Sequence, residues 1–543
     1  MTLPVPRDRA LCKRAFSDLP TPSTRVARLT LTTRLTRRAA SALATLSALA
    51  ALHASPASAA PATAPTPTYD LVIQQARTID PETNLDAIRN IGITAGHIAA
   101  ISPQPLTGEQ TIDAHGLVAA PGFIDLHSHA YGYETSTYQA MDGVTTRLEL
   151  ELGVYPVKPW YDKKSGHELI NYGASVNHDR VRFSLQHGGD LADPKIPGET
   201  SDAMTSDPKF DEYIHQSIPP QFYDRFVPML SAGLDDGAIG IGSGTEYAPG
   251  ITRPEMLDLT QLAGRKHVCV FTHIRYGSLI EPNSTLEALQ EQIANAAIAG
   301  ACVHIVHINS MAMSSTPQMI ALFHQARDHG VDISTEVYPW DASSDNIRSV
   351  IFDTGWERRW GVSVGDLQST ASGKRLTMAE FSALRAGTGD DGVLMHMNTE
   401  ATITKALQDP LVLVASDSMD IENRYSHPRS AGSFARVLGH YVRETGALTL
   451  SQAIRKMSLM PAQRLEAFVP AMKKKGRLQP GADADLILFD PQQVSEGARY
   501  LDAKEYSKGI LYVLVNGQPV VQHGTLVSNV FPGRPVYSKY KKN

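Results

Sequence analysis

Pro121-Gly-Phe-Ile-Asp-Leu-His-Ser-His129 sets His127 and His129 two residues apart at the end of an apolar run. In a β-strand side chains alternate between faces, so histidines at i and i+2 point the same way. Gly-Phe-Ile-Asp-Leu is a strand pattern, and in an α/β barrel the carboxyl end of each strand faces the active site. Neutral imidazole is the commonest metal-ligating side chain, and two on one strand end can chelate one ion.

Outward from this stretch, residues 122–470 alternate apolar runs with amphipathic helical stretches, the pattern of an α/β chain wound as a TIM-like (β/α)8 barrel. Eight runs read as strands: 123–127, 144–151, 181–186, 238–243, 268–273, 303–307, 332–338 and 412–416. Helices are expected over 285–299, 316–329 and 450–457. Two stretches, 156–220 and 341–402, are too long for plain loops and are expected as insertions over the barrel mouth. Upstream, residues 69–120 show short strands and tight turns, with a hairpin over 90–102 closing on Ala95-Gly96. The same texture returns in 484–489 and 512–521, where Asn516-Gly517 marks a turn. Two β-rich ends around an α/β middle predict a small β-sandwich, built from 69–120 and 471–543, beside a barrel over 121–470.

At 543 residues the chain exceeds a single core, which agrees with this division. A formal net charge of −6 without any basic stripe argues against a nucleic-acid partner. Arg34, Arg37 and Arg38 precede an apolar run over 39–52 and then Ala57-Ser58-Ala59. That order of charge, apolar core and small residues predicts a secretory signal over 1–59, and hence a periplasmic or secreted protein. Thr36-Arg37-Arg38 hints at twin-arginine export. The apolar run is too short for a membrane span. A Pro/Ala/Thr-rich linker, 60–68, follows. Cys12 falls in the leader, while Cys269 and Cys302 lie in strand-like runs. Two buried thiols are the default, and one disulfide is the alternative open to an exported chain.

Further strand ends carry ligand-type residues. Arg147-Leu-Glu-Leu-Glu151 puts Glu149 and Glu151 on one face, Phe271-Thr-His273 ends in His273, Val303-His-Ile-Val-His307 ends in His307 with His304 on the opposite face, and Val414-Ala-Ser-Asp417 ends in an acid. Taken singly each is more often structural. Repeated at successive strand ends, they form a nitrogen and oxygen donor set suited to zinc or a similar divalent ion.

These motifs resemble the amidohydrolase superfamily and, within it, the N-acyl-D-amino-acid deacylase (D-aminoacylase) family. The resemblance is carried by PGFIDLHSH (121–129), DGVTT (142–146), GAIGIGSGTEYAPG (237–250), THIR (272–275), VHIVH (303–307), EVYPW (336–340), ASD (415–417) and HPRSAGSFARVLGHYVRE (427–444). It implies hydrolysis of the amide of an N-acyl-D-amino acid, or of a related N-acyl amino acid or short peptide, by water that one or two bound ions activate. It also implies roles: His127 with His129, and His273 with His307, as metal pairs; Asp417 as the acid that holds the attacking water and shuttles its proton; Tyr338, Ser344 and Arg429 on the substrate carboxylate, with Arg275 assisting. Well-known members carry a bridging cysteine near the end of the second strand. This chain has none there, and the fourth-strand run 238–243 holds no lysine that could replace it. Glutamate is left as the bridge, with Glu151, nearer the barrel mouth, expected ahead of Glu149, which is assigned to packing. A cyclic amidase of the dihydroorotase or hydantoinase kind, or a dipeptidase, is the rival on the same scaffold. A non-catalytic binding or assembly protein is the rival of another class, which an intact ligand set disfavours. No membrane span is expected, and a homo-oligomer is left open.

Overall fold

The structure is a computed structural model that describes residues 68–187, 210–389 and 391–542; the expected leader, with Cys12, lies outside them. Eight strands form one sheet: Phe123–Asp125, Val144–Val154, Asn171–Asn177, Ile241–Gly244, Cys269–His273, Cys302–Ile305, Ile333–Val337 and Val412–Val414. Neighbours in this order pair in parallel. Closure between the last strand and the first falls to side chains. Asp125 accepts hydrogen bonds from the backbone N–H of Ser416 (3.0 Å) and from its hydroxyl, and Ser128 bridges to Ser418 just beyond the strand ends. The result is a nearly closed TIM-like barrel wrapped by helices, among them Arg253–Lys266, Thr285–Ala299 and Thr316–Asp328.

One strand differs from expectation. Residues 181–186 are not a strand; they lie in the helix His178–Gln186, and the third strand is Asn171–Asn177. The side chain of Asn177 caps that helix by accepting from the Arg180 N–H. Much of the stretch expected as an insertion over 156–220 therefore belongs to the barrel, including the helix Val157–Lys164. The stretch 341–402 does leave the barrel. It forms a three-stranded antiparallel sheet of Ala342–Asn346, Gly392–His396 and Leu367–Ser369, over its own core of Ile351, Phe352, Trp356, Trp360 and Phe381.

The β-rich stretches flanking the barrel on either side in sequence, from Thr68 and up to Leu526, meet in one nine-stranded sheet, in which Val118–Pro121 pairs antiparallel with Leu486–Phe489. A bulge between Ile73 and Ala76 bends the strand Thr68–Asp80, so that its first half pairs with Thr107–Asp113 and its second half reaches Val118. Its interior draws Ile73, Ile91 and Ile98 from one end and Leu486, Leu488 and Leu514 from the other. The turns Ala95-Gly96 and Asn516-Gly517 all have positive φ (49°, 79°, 49° and 80°), as a type I′ hairpin needs, and glycine accepts that without strain. Cys269 and Cys302 face each other in register on adjacent strands, Cα to Cα 4.4 Å, and are joined as a disulfide rather than left as thiols. Among the described residues no helix is long and apolar enough to cross a membrane.

Candidate metal centre

The strand ends deliver their side chains to one place. His127 and His129 follow the first strand, Glu149 and Glu151 sit on the second, His273 ends the fifth, and His307 and Asp417 follow the sixth and eighth. His307 and Asp417 have φ of +25° and +53°, a region that costs an L-residue roughly 1–2 kcal/mol. Backbone strain at two site residues is the pattern expected where geometry serves function rather than stability.

Nitrogen positions follow from what holds the far side of each ring. His127 Nδ1 is 2.6 Å from Glu336 Oε1, and His129 Nδ1 is 2.9 Å from Glu149 Oε2. A carboxylate accepts, so each Nδ1 carries the proton and each neutral ring is left with a bare lone pair on Nε2. Those two Nε2 atoms stand 3.0 Å apart. Both also lie 2.9 Å from Glu151 Oε2, and 3.3 and 3.6 Å from Asp417 Oδ1. Lone pairs and anionic oxygens converging on one spot call for positive charge between them, which a metal ion or protons on the Nε2 atoms can supply. Glu151 has a second oxygen, Oε1, buried without a hydrogen-bond partner and 3.5 Å from His307 Nε2. His127, His129 and Asp417, and again His127, Glu151 and His307, bring one donor atom each within 4.8 Å of one another.

Electrostatics point the same way. Burial pushes the His127 imidazolium down, but Asp417, Glu151 and Glu336 outweigh it and hold its pKa well above the usual value. His129 rises to about 10 against the same burial, through Glu149 and Glu151. Burial would raise Glu151, yet His127, His129 and His307 hold it well below the carboxylate range. The cluster demands positive charge, and a divalent ion meets that demand without protonating the ligands. His273 behaves differently. Burial and neighbouring His307 depress it to about 4, so it is a neutral donor at pH 7. Its Nδ1 faces the carbonyl of Ile274 at 3.3 Å, and its ring packs edge-on against His307, centroids 4.8 Å apart.

Of the residues expected on the substrate, Arg429 and Ser344 line the pocket beside this centre, with His273, His307 and Asp417. The guanidinium of Arg429 lies over the Tyr338 ring at 5.3 Å and pairs with Asp417. Arg275 does not reach the pocket: it pairs with Glu291 at 3.1 Å and donates to the Ile251 carbonyl. The strand stops at His273, so the alternation that would have aimed Arg275 inward ends before it. Glu149, expected in packing, instead fixes His129 and also accepts from the Tyr131 hydroxyl at 2.7 Å.

Sequence reading missed Glu336. It links His127 to His304, whose Nε2 is 2.9 Å from Glu336 Oε2. The visible signal was an acid inside a strand otherwise fit only for a core, 333–337. Also missed were Glu246 and Asp345 on the pocket wall. Burial holds Asp345 up to about 7, and burial with the added charge of Asp345 holds Glu246 up to about 8.

Comparison with known proteins agrees with this architecture. The N-acyl-D-glutamate deacylase of Alcaligenes xylosoxydans xylosoxydans is 26% identical over 82% of this chain and 93% of its own length. The D-aminoacylase of the same organism is 26% identical over 84% of this chain and 95% of its own. The crystal structure of N-acyl-D-glutamate deacylase from Bordetella bronchiseptica, solved with zinc and a phosphonate inhibitor, superposes with a TM-score of 0.71 at 23% identity, over 87% of this chain and all of that one. The profile of the Amidohydrolase family matches residues 110–182 and 270–521, more than half of the sequence, and the chain belongs to that family.

Proposed function

We propose that the protein is an exported, zinc-dependent deacylase that hydrolyses the amide bond of N-acyl-D-amino acids. The observation that carries this is the convergence of the His127 and His129 lone pairs on Glu151 Oε2 and Asp417, with Glu151 Oε1 turned to His307 and Arg429 paired with Asp417 beside them. His127, His129, Glu151, His273, His307 and Asp417 would hold one or two ions, with Glu151 as the bridge, since its two oxygens face different histidines. A divalent ion in such a site lowers the pKa of water towards neutrality and polarises a carbonyl. Relatives with the same fold, and with deacylase names, support the substrate class.

The chain's own residues account for the rest. Arg429, with Tyr338 beneath its plane and Ser344 alongside, receives the α-carboxylate as a bidentate fork and orients the amide. Asp417 accepts a proton from the attacking water and returns it to the leaving amine. Glu336 and Glu149 fix the tautomers of His127 and His129 so that both keep their lone pairs inward. Export rests on the leader sequence and agrees with the Cys269–Cys302 disulfide, which suits an oxidising compartment.

The experiment is a screen of the zinc-loaded protein against matched D and L N-acyl amino acids, dipeptides and a hydantoin, before and after chelation. D-selective amide hydrolysis, abolished by chelator and restored by zinc, is the expected result. Full activity after complete metal removal, or turnover confined to the hydantoin ring, sinks the reading.

A further inference from the structure

Besides Asp417 and Arg429, the pocket is lined by a second group of side chains that amide hydrolysis does not use. Glu246 and Asp345 belong to it, with Ile351, Trp360 and Met395. The two acids come from unrelated places: Glu246 follows the fourth barrel strand, and Asp345 stands on the first strand of the three-stranded sheet. Glu246 Oε1 accepts from the Gly277 N–H at 2.7 Å, but its Oε2 is buried without a hydrogen-bond partner. Asp345 Oδ1 accepts from the backbone N–H of Asn346 at 2.6 Å. Among the described residues neither acid is ion-paired with a lysine or arginine; the nearest cation-forming group recorded for Glu246 is the His273 ring, 3.5 Å away. Among the described residues Arg429 is the one lysine or arginine lining the pocket, and it already faces Asp417.

Acidic groups held in a pocket with no lysine or arginine directly paired to them are placed where a ligand's cation can pair with them. Beside them, the indole of Trp360 and the side chains of Ile351 and Met395 offer an apolar sleeve for a methylene stem. We propose that this group reads the substrate's side chain and selects N-acyl amino acids that end in a cation, of the lysine, ornithine or arginine kind. The stem lies along the sleeve, and the ammonium or guanidinium lies against Asp345 and Glu246. A cation can pair with these acids as they ionise, whereas an acidic side chain would add a further buried negative charge beside them, with Arg429 already committed to its α-carboxylate. Discrimination therefore comes from repulsion as well as from attraction. Selection against acidic side chains separates this chain from its relative named for N-acyl-D-glutamate.

The proposal rests on the deacylase reading, and its test keeps the two apart. N-acetyl-D-arginine, N-acetyl-D-methionine and N-acetyl-D-glutamate are compared by kcat/KM with the zinc-loaded protein and its Asp345→Asn variant. Free D-arginine, D-methionine and D-glutamate are titrated into the same proteins by calorimetry. Wild type should favour the arginine substrate over the glutamate one at least a hundredfold, and over methionine about tenfold. Asp345→Asn should lower the arginine-to-methionine ratio at least tenfold and raise the glutamate-to-methionine ratio. Hydrolysis of none of the three, with D-arginine still bound most tightly, defeats the deacylase reading and leaves the side-chain assignment standing. Preference for glutamate in either measurement, or an Asp345→Asn variant that shifts all three substrates equally, overturns the assignment.

Discussion

Arg429 Nη1 lies 2.7 Å from Asp417 Oδ2, and both side chains are almost wholly buried, 3% and 10% exposed. The residue assigned to the substrate carboxylate thus holds the residue assigned to the proton. Arg429 supplies no metal ligand, because guanidinium stays protonated. Arg429→Ala is expected to lower kcat/KM by roughly 2–4 kcal/mol of transition-state binding. Metal content by elemental analysis should stay at the wild-type level. An unchanged kcat/KM on a substrate with a free α-carboxylate would remove Arg429 from the reaction.

Asp417 can be separated from its partner. Asp417→Asn keeps the volume and one oxygen but cannot take a proton at neutral pH. Loss of a general base commonly costs a hundredfold or more, and kcat is expected to fall by at least about that factor while the fold is kept. Near-normal turnover in the variant would hand the proton to another group.

The two glutamates of the second strand should differ in kind. Glu151 touches His127 and His129 through one oxygen and faces His307 with the other. Glu151→Ala should therefore lose metal and activity together. Glu149 acts from behind, on His129 Nδ1. Such an outer partner typically changes metal affinity by roughly 10–100-fold, so Glu149→Ala should bind metal more weakly but still bind it. Competition with a chromogenic chelator measures both. Undiminished metal in Glu151→Ala would defeat the bridge.

Much of this was legible because barrel strands deliver side chains in a fixed sense. His127, His129, His273, His307 and Asp417 could be named from strand ends, and the structure brings their side chains together. The errors have physical causes. Val181-Arg-Phe-Ser-Leu-Gln186 alternates like a half-buried strand, but almost the whole helix His178–Gln186 is buried, so its residues carry no helical stripe. The true third strand, Asn171–Asn177, is buried with Asn171, Ser175 and Asn177 satisfied by hydrogen bonds, for example Asn171 Nδ2 to the Thr145 carbonyl at 3.0 Å. Buried polar residues erase the apolar pattern that marks a strand. Glu336 escaped because its function depends on a ring 209 positions away in sequence. Asp345 escaped because the path of its segment back over the pocket is a tertiary fact.

The last prediction concerns stability, at a buried cluster away from the pocket. Glu255 is wholly buried against His178 (2.7 Å) and Arg182 (2.6 Å to Oε2). It is also the Glu of the capping box that starts the helix Arg253–Lys266. Burial alone would raise its pKa, but His178 and Arg182 bring it down to about 2, against 4.5 for an unperturbed glutamate. A carboxyl whose folded pKa is depressed contributes stability above its unfolded pKa and loses it as pH falls towards the folded one. At about 1.4 kcal/mol for each pH unit, the contribution is on the order of 3 kcal/mol above about pH 5, declining between there and pH 2. Glu255→Gln removes the charge and leaves Arg182 unpaired in the interior, a change that costs roughly 3–5 kcal/mol at neutral pH. As the pH falls through 4.5 the unfolded wild-type chain takes up a proton that the folded carboxyl still refuses, so the charge contribution shrinks and the gap between the two thermal midpoints should narrow from pH 5 down to pH 3. A gap between the midpoints that stays constant from pH 7 to pH 3 would show that Glu255 acts through shape and capping rather than through charge.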